Sequence, residues 1–272
     1  MVRNWMSSRG GSLVAAAAIA GAALAGMAGL ASASVIINGT TNAAPANSQS
    51  NPADISNGTA AWVYYGYNGQ STGMNTDSAN AANFSSIKCP TNTLSPWTTG
   101  PAGYVTFTGA SSGASENFVF VNGPFGSNAA GISGNSLSFT TDLLAPSETL
   151  NVYLISYNSR TDITATLASS SGGGSLGSFT TDAVLPSPVN DDPDNNGTGH
   201  GYGILTLNIS GASTGDVLTV TDATDISTVT SPANNANVGF QAADVVVPEP
   251  ATIGLVAVGG IGLLLLRRRK AV

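Results

Sequence analysis

Between its two ends this chain alternates apolar and polar residues. In SETLNVYLISYN, Leu150, Val152 and Leu154 fall on one side and Asn151, Tyr153 and Ile155 on the other. RTDITATLASS sets Ile163, Ala165 and Leu167 against Thr164 and Thr166. GYGILTLNISG aligns Leu205, Leu207 and Ile209, and GDVLTVTD aligns Leu218 and Val220. Successive side chains of an extended strand point to opposite faces. A period of two, rich in β-branched residues and bounded by Gly, Asn, Asp and Pro, therefore predicts strands. Further strands are predicted at 62–65, 104–108, 118–121, 136–140, 176–180 and 238–246. No useful helical period occurs outside the ends. The predicted class is all-β, with a jelly-roll-type β-sandwich over residues 60–246. Residues 34–59 read as a polar N-terminal arm, and 69–83 and 186–203 as loops. No internal repeat is evident.

The two ends follow other rules. Arg3 and Arg9 precede an apolar stretch over 13–30, which closes on Ala31-Ser32-Ala33. A basic start, an apolar middle and a small-residue exit predict a signal peptide over 1–33, a substrate of signal peptidase cut after Ala33. At the far end Pro248-Glu249-Pro250 precedes residues 251–266, sixteen positions without charge, and then Arg267, Arg268, Arg269 and Lys270. As a helix that apolar run is about 24 Å long, short of a hydrocarbon core of about 30 Å. The cations behind it are a cytoplasmic stop.

This order of Pro-Glu-Pro, short apolar helix and Arg cluster over 247–272 resembles the PEP-CTERM sorting tail of exported bacterial proteins. The resemblance implies processing near Pro-Glu-Pro by an exosortase, in bacteria that make extracellular polysaccharide. It implies an address at the cell envelope, cell surface or extracellular matrix, with membrane contact only through the tail before processing. The body also resembles β-sandwich modules seen with this tail, of a galactose-binding type. AAWVYYGYNGQ, TLNVYLISYNSRTDITATLASS, GYGILTLNISGASTGDVLTVT and NVGFQAADVV carry that likeness in order. It transfers no catalytic residue.

Charge narrows the partners. With the ends set aside, Lys88 and Arg160 stand alone against 14 acids, a formal charge of −12. Nucleic-acid binding needs a cationic surface that displaces phosphate counterions, and this body has none. Cys89 is the single cysteine, so no disulfide forms within the chain and the fold must rest on packing.

Several stretches are candidates for chemistry. In NDDPDNNGTGHG, Asp192, Asp194, Asn196 and Gly197 follow the start of a Ca²⁺ loop, whose hard oxygens suit that ion. The twelfth position, where a bidentate Glu would stand, is Gly203. A calcium site here would need Asp191 or distant carbonyls, and a solvated acidic turn is the competing reading. Trp62, Tyr64 and Tyr65 could stack on sugar rings, against a core role for alternating aromatics. Gly-x-Ser-x-Gly occurs around Ser111 and Ser213, but a serine triad would have to use His200, the sole histidine. Thr-x-Thr recurs at Thr106/Thr108, Thr164/Thr166, Thr219/Thr221 and Thr228/Thr230. Some proteins with this tail are labelled ice-binding, but Thr ladders for that task need a regular repeat. The expectation is a non-catalytic, sorted surface protein associated with polysaccharide. A calcium-assisted carbohydrate-binding module is the first alternative; an ice-binding protein and a secreted hydrolase rank below it.

Overall fold

The computed structural model of the chain describes residues 34–43, 53–56, 58–66, 74–76, 83–90, 94–97, 105–106, 118–122, 136–157, 159–185, 200–225 and 237–247. Two compact units divide the chain, Met1–Ser34 and Val35–Val272, and apart from Ser34 the described residues belong to the second. They form strands β1 (Ile36–Ala43), β2 (Ala53–Asp54), β3 (Ala61–Tyr65), β4 (Met74–Thr76), β5 (Leu94–Trp97), β6 (Val105–Thr106) and β7 (Phe118–Asn122). The second half carries β8 (Ser136–Asp142), β9 (Ser147–Tyr157), β10 (Arg160–Ala168), β11 (Ser175–Ala183), β12 (His200–Ser210), β13 (Val217–Asp225) and β14 (Asn237–Val246).

The last eight strands make the sandwich. One sheet runs β7-β14-β9-β12 and the other β8-β13-β10-β11, all antiparallel. Numbered from β7, these orders are first-eighth-third-sixth and second-seventh-fourth-fifth, the connectivity of a jelly roll. The first sheet is extended by β1 beside β12, by β3 and β4 beside β14, and by β5 beside β7.

Alternation places the core. Leu150, Val152 and Leu154 of β9 face Ile163, Ala165 and Leu167 of β10 across the space between the sheets, with Leu205, Leu207, Leu218 and Val220. Phe139 sits at the centre. Its ring meets Phe240 edge-on with centroids 5.1 Å apart, and Tyr65 and Phe84 flank it. Strand β14 needs a correction to keep its apolar side inward. Val238 and Phe240 enter the core, and so do Ala243 and Val245. A bulge at Gln241, between Phe240 and Ala242 in the β9 register, absorbs the extra residue.

The arm predicted over 34–59 is not wholly an arm. Its residues 36–43 pair along their whole length with residues 203–210 of β12, from Ile36 opposite Ser210 to Ala43 opposite Gly203. Asn38, Asn42 and a central Gly39 hid the strand, because Asn and Gly are depleted in strands. Gly39 is required by packing: a Cβ there would stand 2.5 Å from Phe179 Cζ. The loop predicted over 186–203 gives up its last four residues to β12.

Candidate functional site

The large sheet is covered on both sides. Its inner face meets the four-stranded sheet. Part of its outer face is roofed by the parallel β2–β6 pair, with Ile55 and Val105 over Tyr64, Tyr153, Ile155, Tyr202 and Ala242. Tyr64 and Tyr65 are therefore 0% and 1% exposed, on opposite faces of β3. This corrects their reading as a sugar-stacking surface. Tyr65 fills the inter-sheet core, where burial raises its phenol well above the ordinary range. Tyr64 fills the smaller outer core and accepts a hydrogen bond from Gln241 Nε2 at 3.4 Å. Trp62, two residues earlier on the outer face, is half-buried and packs at the rim of that core.

Beyond the roof, strand register assembles a polar row. Trp62 lies opposite Asp244, Asp244 opposite Asn151, Asn151 opposite Thr206, and Thr206 opposite Thr40. The row is also hydrogen-bonded. Thr206 Oγ1 donates to Asn151 Oδ1 at 3.0 Å, and Asn151 Nδ2 donates to Asp244 Oδ1 at 3.0 Å. Tyr153 Oη donates to Asp244 Oδ2 at 2.8 Å. Asp244 is 2% exposed, while Asn151 and Thr206 are half-buried and Thr40 is exposed. Burial raises the Asp244 carboxyl above its usual range, partly offset by its bonds from Asn151 and Tyr153. Burial, then the charge and hydrogen bond of Asp244, push the Tyr153 phenol up in turn. One register further along, Thr149 Oγ1 donates to Asn208 Oδ1 at 3.0 Å, with Asn38 opposite Asn208. Single-residue reading missed this row, because Asn151 and Asp244 are 93 positions apart. Only part of it shows as a sequence signal: Thr149, Asn151, Thr206 and Asn208 are outward positions of β9 and β12 beside inward Leu150, Val152, Leu205 and Leu207.

The remaining candidates separate. Asp192, Asp194 and Asn196, and with them the predicted Ca²⁺ loop, lie outside the described residues. So do Ser111, Pro248, Glu249, Pro250, Arg267, Arg268 and Arg269. Among the described residues no group of three or more His, Cys, Asp or Glu is arranged to hold a metal ion. Ser213 sits in the tight turn joining β12 to β13, where its amide bonds Asp216 Oδ2 at 2.8 Å and Gly215 takes φ 85°. His200 opens β12 and Ser213 follows its far end. A strand of that length spans roughly 33 Å, so these two cannot form a dyad. Cys89 is half-buried and packs against the inter-sheet core.

Thr164 and Thr166 do align with other hydroxyls on the outer face of the four-stranded sheet. Ser138, Thr221, Thr164 and Thr180 form one cross-strand row and Thr140, Thr219, Thr166 and Ser178 the next. Of the other two pairs, Thr106 closes the two-residue β6, and Thr108, Thr228 and Thr230 lie outside the described residues.

Comparison with known proteins agrees with the tail. Residues 246–270 match the PEP-CTERM protein-sorting motif. No curated protein matches the chain. Among solved structures, the chain is similar to TmCBM61 in complex with β-1,4-galactotriose, at 9% identity and TM-score 0.35, over 58% of this chain and 85% of that one. It is similar to the K1 cleaved adhesin domain of Lys-gingipain from Porphyromonas gingivalis W83, at 15% identity and TM-score 0.33, over 58% and 89%. It is also similar to the non-crystalline cellulose specific carbohydrate-binding module CBM28, at 9% identity and TM-score 0.26, over 56% and 84%.

Proposed function

We propose that this protein is a non-catalytic, carbohydrate-binding protein of the cell surface or extracellular matrix. The chain carries a PEP-CTERM sorting motif, which marks it for export and surface placement. On this reading signal peptidase cuts after Ala33 and an exosortase processes the chain near Pro248-Glu249-Pro250. The body that remains holds extracellular polysaccharide on the outer face of its large sheet.

The observation that carries the reading is the row Trp62–Asp244–Asn151–Thr206. Sugar recognition needs an apolar ring face beside hydrogen-bonding groups held in fixed directions. Trp62 supplies the first. Asn151 and Thr206 supply the second, held by a carboxylate that is itself nearly buried. Among the described residues, His200 starts at the far end of β12 from Ser213, and Asp244 is engaged by two donors.

The test is binding of the full-length chain, in mild detergent, to the extracellular polysaccharide of its host, with calcium and with chelator. Saturable binding in both buffers supports the face described here. Binding lost on chelation adds a calcium site and directs attention to Asp192, Asp194 and Asn196. No binding in either buffer counts against the carbohydrate reading.

A further inference from the structure

We infer that the row reads neutral sugar hydroxyls, and that Asp244 is the positioning residue that gives it this selectivity. The inference rests on the carbohydrate reading and goes further, to the class of glycan. It starts from the direction of each hydrogen bond. Asp244 accepts from Asn151 Nδ2 and from Tyr153 Oη, as an ionised carboxylate does. A carboxylate has no proton to give, so the Asn151 amide must turn its NH₂ toward Asp244 and its oxygen toward Thr206. Thr206 then spends its one hydroxyl proton on Asn151 Oδ1. What remains for a ligand is fixed: a second N–H on Asn151, and the lone pairs of Thr206.

Those two groups lie on neighbouring strands, about 4.8 Å apart in the ladder direction. A donor beside an acceptor suits a ligand whose adjacent groups can each give and take a proton. Vicinal sugar hydroxyls do so. A carboxylate or sulfate cannot, because it only accepts, and at Thr206 it would meet lone pairs with no proton between.

Charge acts in the same direction. Lys88 and Arg160 are the sole cations between residues 34 and 247, and neither is on the large sheet. Lys88 bridges to Ser138 at the edge of the four-stranded sheet, and Arg160 pairs with Asp182 at 2.8 Å on β10 and β11. The face therefore offers no counter-charge to a polyanion. Behind it stand Asp244 and a body of formal charge −12. Repulsion of this kind reaches about 10 Å at 0.1 M salt and weakens as salt rises.

The experiment compares the full-length chain in mild detergent on a panel of polysaccharides at low and moderate salt. The neutral members are a β-glucan, a galactan and a mannan. The anionic members are alginate and a sulfated galactan. The inference expects saturable binding to at least one neutral member and none to the anionic ones. It expects a loss of about tenfold or more in Trp62→Ala and in Asn151→Ala. It also expects Asp244→Asn to weaken neutral binding while circular dichroism and Tm show the sheet intact. An anionic polysaccharide bound through this face, lost in Trp62→Ala, would overturn the inference and leave the carbohydrate reading standing. Neutral binding unchanged in Asn151→Ala and Asp244→Asn would also overturn it. No binding across the panel would remove both.

Discussion

Asn151 and Asp244 meet across the β9–β14 ladder, with the amide Nδ2 3.0 Å from the carboxylate Oδ1. The bond joins two strands adjacent in the sheet and distant in the chain. It sets the direction of the polar row beside Trp62.

Its pH dependence should be visible in binding. Burial raises the Asp244 carboxyl, so protonation begins at a higher pH than for an exposed aspartate. A protonated Asp244 acquires a donor and competes with Tyr153 or Asn151 for direction. Glycan affinity should fall as pH drops through that raised value, and Asp244→Asn should remove the dependence. Isothermal titration across a pH series checks both.

Stability should respond to Asp222 in the opposite sense. Asp222 points inward from β13 at 0% exposure, in register with Leu137 and Ile163, and neither carboxyl oxygen has a hydrogen-bond partner. Burial first, then the charge of Asp162, raises it well above 3.8; the Ala223 amide opposes this weakly, without reaching hydrogen-bond geometry. The folded state therefore holds this proton more tightly than the unfolded state. Its contribution is full below the ordinary carboxylate value and is lost as pH rises through the raised folded value. Thermal melts should show Asp222→Val gaining more at neutral pH than the about 1–3 kcal/mol that a buried unsatisfied polar group costs, with the gain falling back toward that figure in acid.

Core substitutions should separate packing from binding. Phe139→Ala removes the ring at the centre of the aromatic cluster and should cost about 3–5 kcal/mol. Gly201→Ala should also destabilise, by about 1–3 kcal/mol. A Cβ there would stand 2.5 Å from the Leu185 carbonyl oxygen and 2.6 Å from Ser156 Oγ. Denaturant titration measures both. Trp62→Ala should leave stability nearly unchanged by comparison and act on glycan binding.

The sorting tail should be dispensable for folding, and the strand before it should not. β14 is buried along nearly its whole length and pairs with β9, β3 and β7. A chain of residues 34–247 should melt cooperatively, while one ending at residue 236 should fail to fold. Circular dichroism melts decide this.

Much of the sandwich was legible in the sequence, for a physical reason. β9, β10, β12 and β13 bury one face, so their alternation is plain, and β14 shows its apolar pairs Val238/Phe240 and Ala243/Val245 on either side of the Gln241 bulge. β1 was hidden by Asn38, Asn42 and Gly39, and the fit of Gly39 depends on Phe179 of another sheet. β5 was hidden by Pro96, tolerated because, among the described strands, β5 pairs only with β7 and lies at the sheet edge. The fate of Tyr64 was not legible, since alternation sends it outward and the β2–β6 roof, distant in sequence, covers it. The polar row was not legible either: its members come from five strands, and their meeting is a property of register.

Comparing the full-length chain with its Trp62→Ala variant for binding to the host's extracellular polysaccharide tests the central claim most directly. The account predicts saturable binding by the native chain and a loss of about tenfold or more in the variant, with Tm nearly unchanged. Equal affinity in both chains, or no binding by either, would contradict it.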